Sequence, residues 1–162
     1  MPRLIALLAL ASLALLGGCG WLPRVHVLND PLSREEHLDL ALTYEKDGEL
    51  EIAEREYRAA LPLGLAHLGL GNVLYQKGEV AKAQSSYRRA WVLDRLPAAA
   101  NNLAWVLLLE GGSLDEALEM ASQAVSEAQA QGLDKALVDN YRGTLGQVEQ
   151  AIAAGKIQAG RE

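Results

Sequence analysis

The sequence holds one cysteine, Cys19, so no disulfide can close within the chain. Basic side chains are the minority, 15 Lys and Arg against 21 Asp and Glu, for a formal net charge of −6. Non-specific nucleic-acid binding needs a basic footprint, and this balance argues against it. Arg88-Arg89 is too short a cluster to alter that. Long apolar runs are also missing. The longest, Leu4 to Leu16, has 13 residues, short of the roughly 20 that a spanning helix needs. His26, His37 and His67 are scattered, and none sits at the i, i+4 spacing of a helical metal pair. Gly69-Leu70-Gly71 lacks the third glycine and preceding strand of a phosphate-binding loop. Acidic pairs such as Glu35-Glu36 and Asp115-Glu116 fall where helices begin and favour the dipole there. Nothing in the sequence points to catalysis, a metal or a cofactor.

What is present begins with residues 1–18, a short basic start at Arg3 followed by the apolar run, the build of a secretory leader. The run ends in Leu16-Gly17-Gly18-Cys19. This resembles the lipobox of bacterial lipoproteins, an aliphatic residue, two small ones, then cysteine. The resemblance implies cleavage before Cys19, a diacylglycerol on its thiol and acylation (palmitate) of the new amino terminus. Several acyl chains anchor stably where one holds only marginally. Loss of Arg3 with the leader would leave a net charge of −7. Gly20, rather than an aspartate, follows the cysteine, so the expected location is the outer membrane, facing the periplasm. Residues 19–33 contain Pro23, Asn29, Asp30 and Pro31 without helical period and read as the lipidated cysteine and its tether.

Residues 34–155 read as one helical domain, and a pattern repeats within it. Leu40, Ala41, Tyr44, Gly48, Ala53, Tyr57 and Ala60 recur 30 positions later as Leu70, Gly71, Leu74, Gly78, Ala83, Tyr87 and Ala90. A third copy reads Leu103, Ala104, Leu107, Gly111, Ala117, Ala121 and Ala124, with one extra residue, Gly112. Within each copy the spacing describes two amphipathic helices joined at a glycine. Small residues allow close helix approach, and aromatic ones fill the space between layers. Helices are expected near 34–47, 50–61, 63–77, 80–93, 98–110, 114–129 and 134–154.

These positions resemble the tetratricopeptide repeat over about residues 34–125. The family's usual tryptophan is replaced by His37, His67 and Ala100. From Ala60 to Leu70 is 10 residues, where the family spacing gives about 14. A shortened junction is therefore expected, with Pro62 opening the second repeat. Ala121, in place of an aromatic, implies thinner packing in the third copy. Leu133, Leu137, Tyr141, Leu145 and Val148 form one more stripe, read as a terminal cap because no second partner helix follows. Residues 156–162 read as a frayed end. The fold implied is all-α, a right-handed solenoid of three helix-turn-helix repeats plus a C-terminal capping helix.

In the family, the first helices line a concave face that binds peptides. Transferred here, that face offers Leu38, Leu42, Leu65, Leu68, Asn72, Tyr75, Asn101, Asn102, Trp105 and Leu108 as a partner-binding groove for a protein or peptide. No residue of this set is basic, which disfavours the lysine and arginine clamp that some relatives place on a terminal carboxylate. The alternative is that Leu65, Leu68, Trp105 and Leu108 are core, covered by the C-terminal segment. The expected function is a membrane-tethered scaffold for another envelope protein, most specifically in pilus or secretion-system assembly. Its rivals are an accessory or regulatory subunit of a periplasmic peptidase or cell-wall enzyme, and self-association through the end of the stack.

Overall fold

The computed structural model describes residues 30–159, with side chains to Gly155; Cys19, the leader and most of the tether lie outside them. From Leu32 onward the chain forms one compact unit. It contains α1 (Arg34–Lys46), α2 (Leu50–Ala59), α3 (Gly64–Gln76), α4 (Val80–Asp94), α5 (Pro97–Leu109), α6 (Leu114–Ala130) and α7 (Lys135–Ala159). Among the described residues there is no strand, and no helix is long and apolar enough to cross a membrane. The chain is an all-α stack of three helix hairpins and a final helix. Helix ends match the sequence expectation within two residues, except that α7 runs on to Ala159, into the stretch read as frayed. Each helix packs on its sequence neighbour, and α1 also meets α3 as α5 meets α7.

Small buried residues hold the layers together. Ala41, Ala53, Ala60, Ala83, Ala90, Ala104, Ala117, Ala121 and Ala124 are all fully buried. Two aromatic rings then lie directly on helix backbone. A Cβ built at Gly71 would sit 2.5 Å from the Tyr87 ring, and one at Gly69 would sit 2.1 Å from Tyr57 Cζ. Tyr87 thus seals the α3–α4 hairpin, and Tyr57 seals α2 against α3, the next layer. Neither position has room for a side chain.

The hairpin turns follow one scheme with one variation. Gly48 and Gly78 take φ of 79° and 76°, so the next amides, Glu49 N and Glu79 N, reach back to Tyr44 O at 2.9 Å and Leu74 O at 2.8 Å. A β-carbon would penalise that left-handed conformation. In the third copy the reaching amide belongs to the extra residue, Gly112, which bonds Leu107 O at 2.8 Å. The start of α6 moves on to Ser113, whose hydroxyl accepts from Glu116 N. The insertion thus trades a glutamate without a side-chain cap bond for a capping serine.

Three expectations need correction. Pro62 does not open the second repeat: α3 begins at Gly64 after Leu63, and Pro62 lies in the turn, preceded by a cis peptide bond. Asp94, at the end of α4, instead accepts from Gly64 N at 3.1 Å and supplies the missing cap. Leu40 is 37% exposed whereas its repeat equivalents Leu70 and Leu103 are buried, because among the described residues no earlier hairpin covers the outer side of α1. In α7 the buried stripe is Val138, Tyr141 and Val148, with Leu145 half-buried, and Leu137 faces solvent. The histidine in place of the family's tryptophan is used. His37 is buried and its Nδ1 lies 2.7 Å from Glu56 Oε2 across the first hairpin. Burial pushes the Glu56 carboxyl up, and hydrogen bonds from His37 and Arg55 outweigh it, leaving the group below the ordinary glutamate value. Charged pairs tie successive layers: Lys77 Nζ to Glu54 at 2.7 Å, and Arg88 to both oxygens of Glu116 at 2.7 and 3.0 Å.

The glycine contacts predict opposite outcomes for one substitution at two sites. Gly71→Ala must displace the Tyr87 ring and should cost about 1–3 kcal/mol. Gly146→Ala, where an added Cβ meets nothing within 4 Å, should stabilise α7 by roughly 0.5–1 kcal/mol. Urea unfolding of the two variants measures both; equal shifts of the midpoint would contradict this packing.

Candidate functional site

The first helices of the hairpins, together with α7, line three depressions that run into one another. The first, of about 110 Å³, lies between α1 and α3 and is walled by Leu38, Leu42, Leu65 and Leu68. It shares Glu45 and Asn72 with the second, of about 290 Å³, which adds Tyr75, Gln76, Tyr87, Asn102 and Trp105. That in turn shares Asn102 and Trp105 with the third, of about 400 Å³, bounded by Asn101 on α5 and by Asn140, Gly143, Thr144 and Gln147 on α7. The result is a continuous groove across α1, α3, α5 and α7.

Nine of the ten residues proposed from sequence line it. Leu108 does not; it is half-buried and packs against the core. Among the described residues the C-terminal segment does not fill the groove, since α7 forms its far wall and leaves the apolar end open. Leu42 and Leu65 are each 52% exposed. Exposed leucines on two facing helices are costly in water unless something covers them.

The groove changes character along its length. Its first third is aliphatic. In its middle, Asn72 Oδ1 accepts from Tyr87 Oη and from Asn102 Nδ2, each at 3.1 Å, so one amide spans α3, α4 and α5. Tyr57 Oη donates to Glu45, the one ionisable carboxylate in the lining. Burial, with the Glu45 charge, holds the Tyr57 phenol far above its ordinary value, and burial does the same for Tyr87. Both therefore stay neutral donors at any physiological pH. The last third is wholly neutral, with three amide side chains besides Asn102, a hydroxyl and the Trp105 ring. No lysine or arginine lines any part. Among the described residues no three His, Cys, Asp or Glu group as a metal site.

The residues on α7 were missed from sequence, although a signal was there. Leu145-Gly146 aligns with Leu70-Gly71. On that register Asn140, Gly143, Thr144 and Gln147 occupy the positions of Leu65, Leu68, Gly69 and Asn72. Treating α7 as a cap hid the fact that it also presents a fourth copy of the lining.

No family model matches this chain, and no curated protein does. Solved structures do match. The type III secretion translocator chaperone SycD of Yersinia enterocolitica aligns at 25% identity over 76% of this chain and 98% of its own, with a TM-score of 0.66. PcrH, in complex with the chaperone-binding region of PopB, aligns at 25% identity over 72% and 100%, with a TM-score of 0.65; a further structure gives its source as Pseudomonas aeruginosa. The first tetratricopeptide domain of Spaghetti (RPAP3), bound to the HSP90 peptide SRMEEVD, aligns at 18% identity over 78% and 98%, with a TM-score of 0.61. The fold is a tetratricopeptide-type helical solenoid. Among these neighbours, the RPAP3 domain holds a peptide with an acidic end, whereas the groove here offers no basic side chain to such an end.

Groove leucines and core leucines should respond differently to substitution. Leu42→Gln and Leu65→Gln remove exposed side chains and should each move stability by less than about 0.5 kcal/mol. Leu74→Ala, at a fully buried position, should cost about 2–5 kcal/mol. Chemical denaturation checks this; a core-sized loss at Leu65 would show that it supports the fold rather than a ligand.

Proposed function

We propose that this chain is a lipid-anchored protein-binding adaptor that holds a segment of another envelope protein in the groove across α1, α3, α5 and α7. The observation that carries the reading is the open aliphatic end of that groove, with Leu42 and Leu65 half in solvent. A peptide that lays aliphatic side chains between α1 and α3 removes that surface from water, and Asn72 and Asn102 offer its backbone both donors and acceptors. Two solved neighbours favour a secretion context, since SycD and PcrH are named for a translocator chaperone role and for a complex with PopB. The specific reading is a factor in pilus or secretion-system assembly. The leader and Leu16-Gly17-Gly18-Cys19 support attachment through acyl chains on Cys19, at the outer membrane facing the periplasm. Anchoring concentrates the groove at the surface where its partner is assembled.

Two experiments address the two halves of this reading. A photo-crosslinking residue in place of Leu65 or Leu42, in cells, should yield a discrete adduct that the same residue at exposed Ser85 does not. Tyr75→Ala with Trp105→Ala should reduce the adduct at least ten-fold while leaving the fold intact by circular dichroism. Undiminished crosslinking in that double variant would move the binding site elsewhere. Separately, Cys19→Ala should abolish incorporation of labelled palmitate and release the protein from the membrane fraction; unchanged fractionation would remove the anchor from the proposal.

A further inference from the structure

The neutral end of the groove, between α5 and α7, holds a hydrogen-bonding capacity that the protein itself leaves unused. Asn101 is 9% exposed, and its Oδ1 is buried with no hydrogen-bond partner. A buried carbonyl left in that state costs about 1–3 kcal/mol. Flipping the amide does not relieve it: Asn101 Nδ2 donates to Asn102 Oδ1 at 3.5 Å, and the exchange would bring two oxygens together. Asn102 cannot turn to help, because its own Nδ2 is committed to Asn72 Oδ1. Facing this pair from α7 are Asn140, Thr144 and Gln147. None of the three hydrogen-bonds another described side chain. Gly143 leaves the wall between them open, since an added Cβ there meets nothing within 4 Å.

We infer that this pocket takes the side-chain amide of a glutamine or asparagine in the bound peptide, and so gives the groove a direction. The inference rests on the groove being a peptide site. A primary amide is the group that matches both needs. A turn of the Asn101 side chain brings its buried Oδ1 to the pocket, where the ligand N–H donates to it, and the ligand carbonyl accepts from the Thr144 hydroxyl or the Gln147 and Asn140 amides. An ammonium would donate to Asn101 but finds no carboxylate in the lining and leaves the α7 donors unmet. A carboxylate would satisfy those donors but meets Asn101 Oδ1 as a second acceptor. With no ionised group in the lining, either charge enters unpaired. The Trp105 ring forms an apolar side against which the amide's methylenes pack.

The spacing follows from the stack. The aliphatic depression lies between α1 and α3, and the amide pocket lies between α5 and α7, two helix steps away. At roughly 10 Å per packed helix pair, that is roughly 20 Å, or about six extended residues. The recognised segment therefore carries aliphatic residues at one end and Gln or Asn about six positions away. A two-ended ligand of this kind binds in one orientation, because reversing it would bury an amide among leucines.

The test uses the purified full chain in detergent and fluorescent ten-residue peptides with two leucines near one end. Gln, Asn, Ala, Lys or Glu occupies the position six residues on. The expected result is that the Gln or Asn peptide binds roughly ten-fold more tightly than Ala, with Lys and Glu at or below Ala. That preference should vanish in the Asn140→Ala, Gln147→Ala double variant, whose substitutions are exposed and spare the core; a preference that survives it undiminished overturns the amide pocket. Equal binding of all five peptides overturns the amide pocket and leaves the groove standing. Failure of every peptide to bind overturns both. Quenching of tryptophan fluorescence by chitotriose, in a protein that ignores the Gln peptide, would make the pocket a saccharide site and also overturn the inference.

Discussion

The structure depends on aromatic rings lying against helix backbone where no side chain intervenes. Tyr57 on Gly69 and Tyr87 on Gly71 set how near α3 comes to the helices on either side of it. Dispersion and apolar burial at these contacts need near-ideal separation, so one added methyl group is felt as strain. The fully buried alanines of the other layers do the same work with less specificity. Once the second helix of each hairpin is fixed in this way, the first helices are left side by side, and the surface between them becomes a groove.

That placement explains why the groove can carry exposed leucines without loss of fold. The core faces of α1 and α3 are formed by alanines, His37, Leu70, Val73 and Leu74, while Leu38, Leu42, Leu65 and Leu68 line the space between the helices. Further along, polar side chains brace one another across layers. The bond from Asn102 to Asn72 spans 30 residues of chain, one repeat, and it aligns α5 with α3 where their backbones have little direct contact. With one carboxylate, Glu45, no basic side chain and an open aliphatic end, the groove presents a largely neutral, partly aliphatic surface.

The two ends of the stack are treated unequally. At the last hairpin α7 covers α6 and touches α5, burying Val138, Tyr141 and Val148, so a solenoid end that would otherwise expose a core face is closed. The same helix contributes Asn140, Thr144 and Gln147 to the groove, and so closes the fold and extends the site at once. At the first hairpin Leu32 and Leu40 stay partly in solvent.

The repeat was legible from sequence because it is local. Alanine, glycine and tyrosine at a 30-residue interval encode helix faces whose packing partners lie one turn or one hairpin away, so hairpin turns and helix limits could be read directly. Nine of the ten residues expected along a groove line its depressions for the same reason, as they flank the buried positions of each copy. Leu108 was misplaced because flanking position alone does not say whether a neighbouring layer covers a side chain. Neither the cap that Asp94 lends to Gly64, nor the solvation of Leu40, nor the turn at Pro62 follows from any window of sequence. Each depends on which element lies beside it, or on none lying there. The stranded Asn101 carbonyl is the clearest case. An asparagine on a helix reads as solvated, and packing in the assembled stack removes this one from water without providing its carbonyl a partner. Local pattern determined the elements and their order. Tertiary packing decided which polar groups were left buried without a partner, since desolvation is a property of the assembled layers.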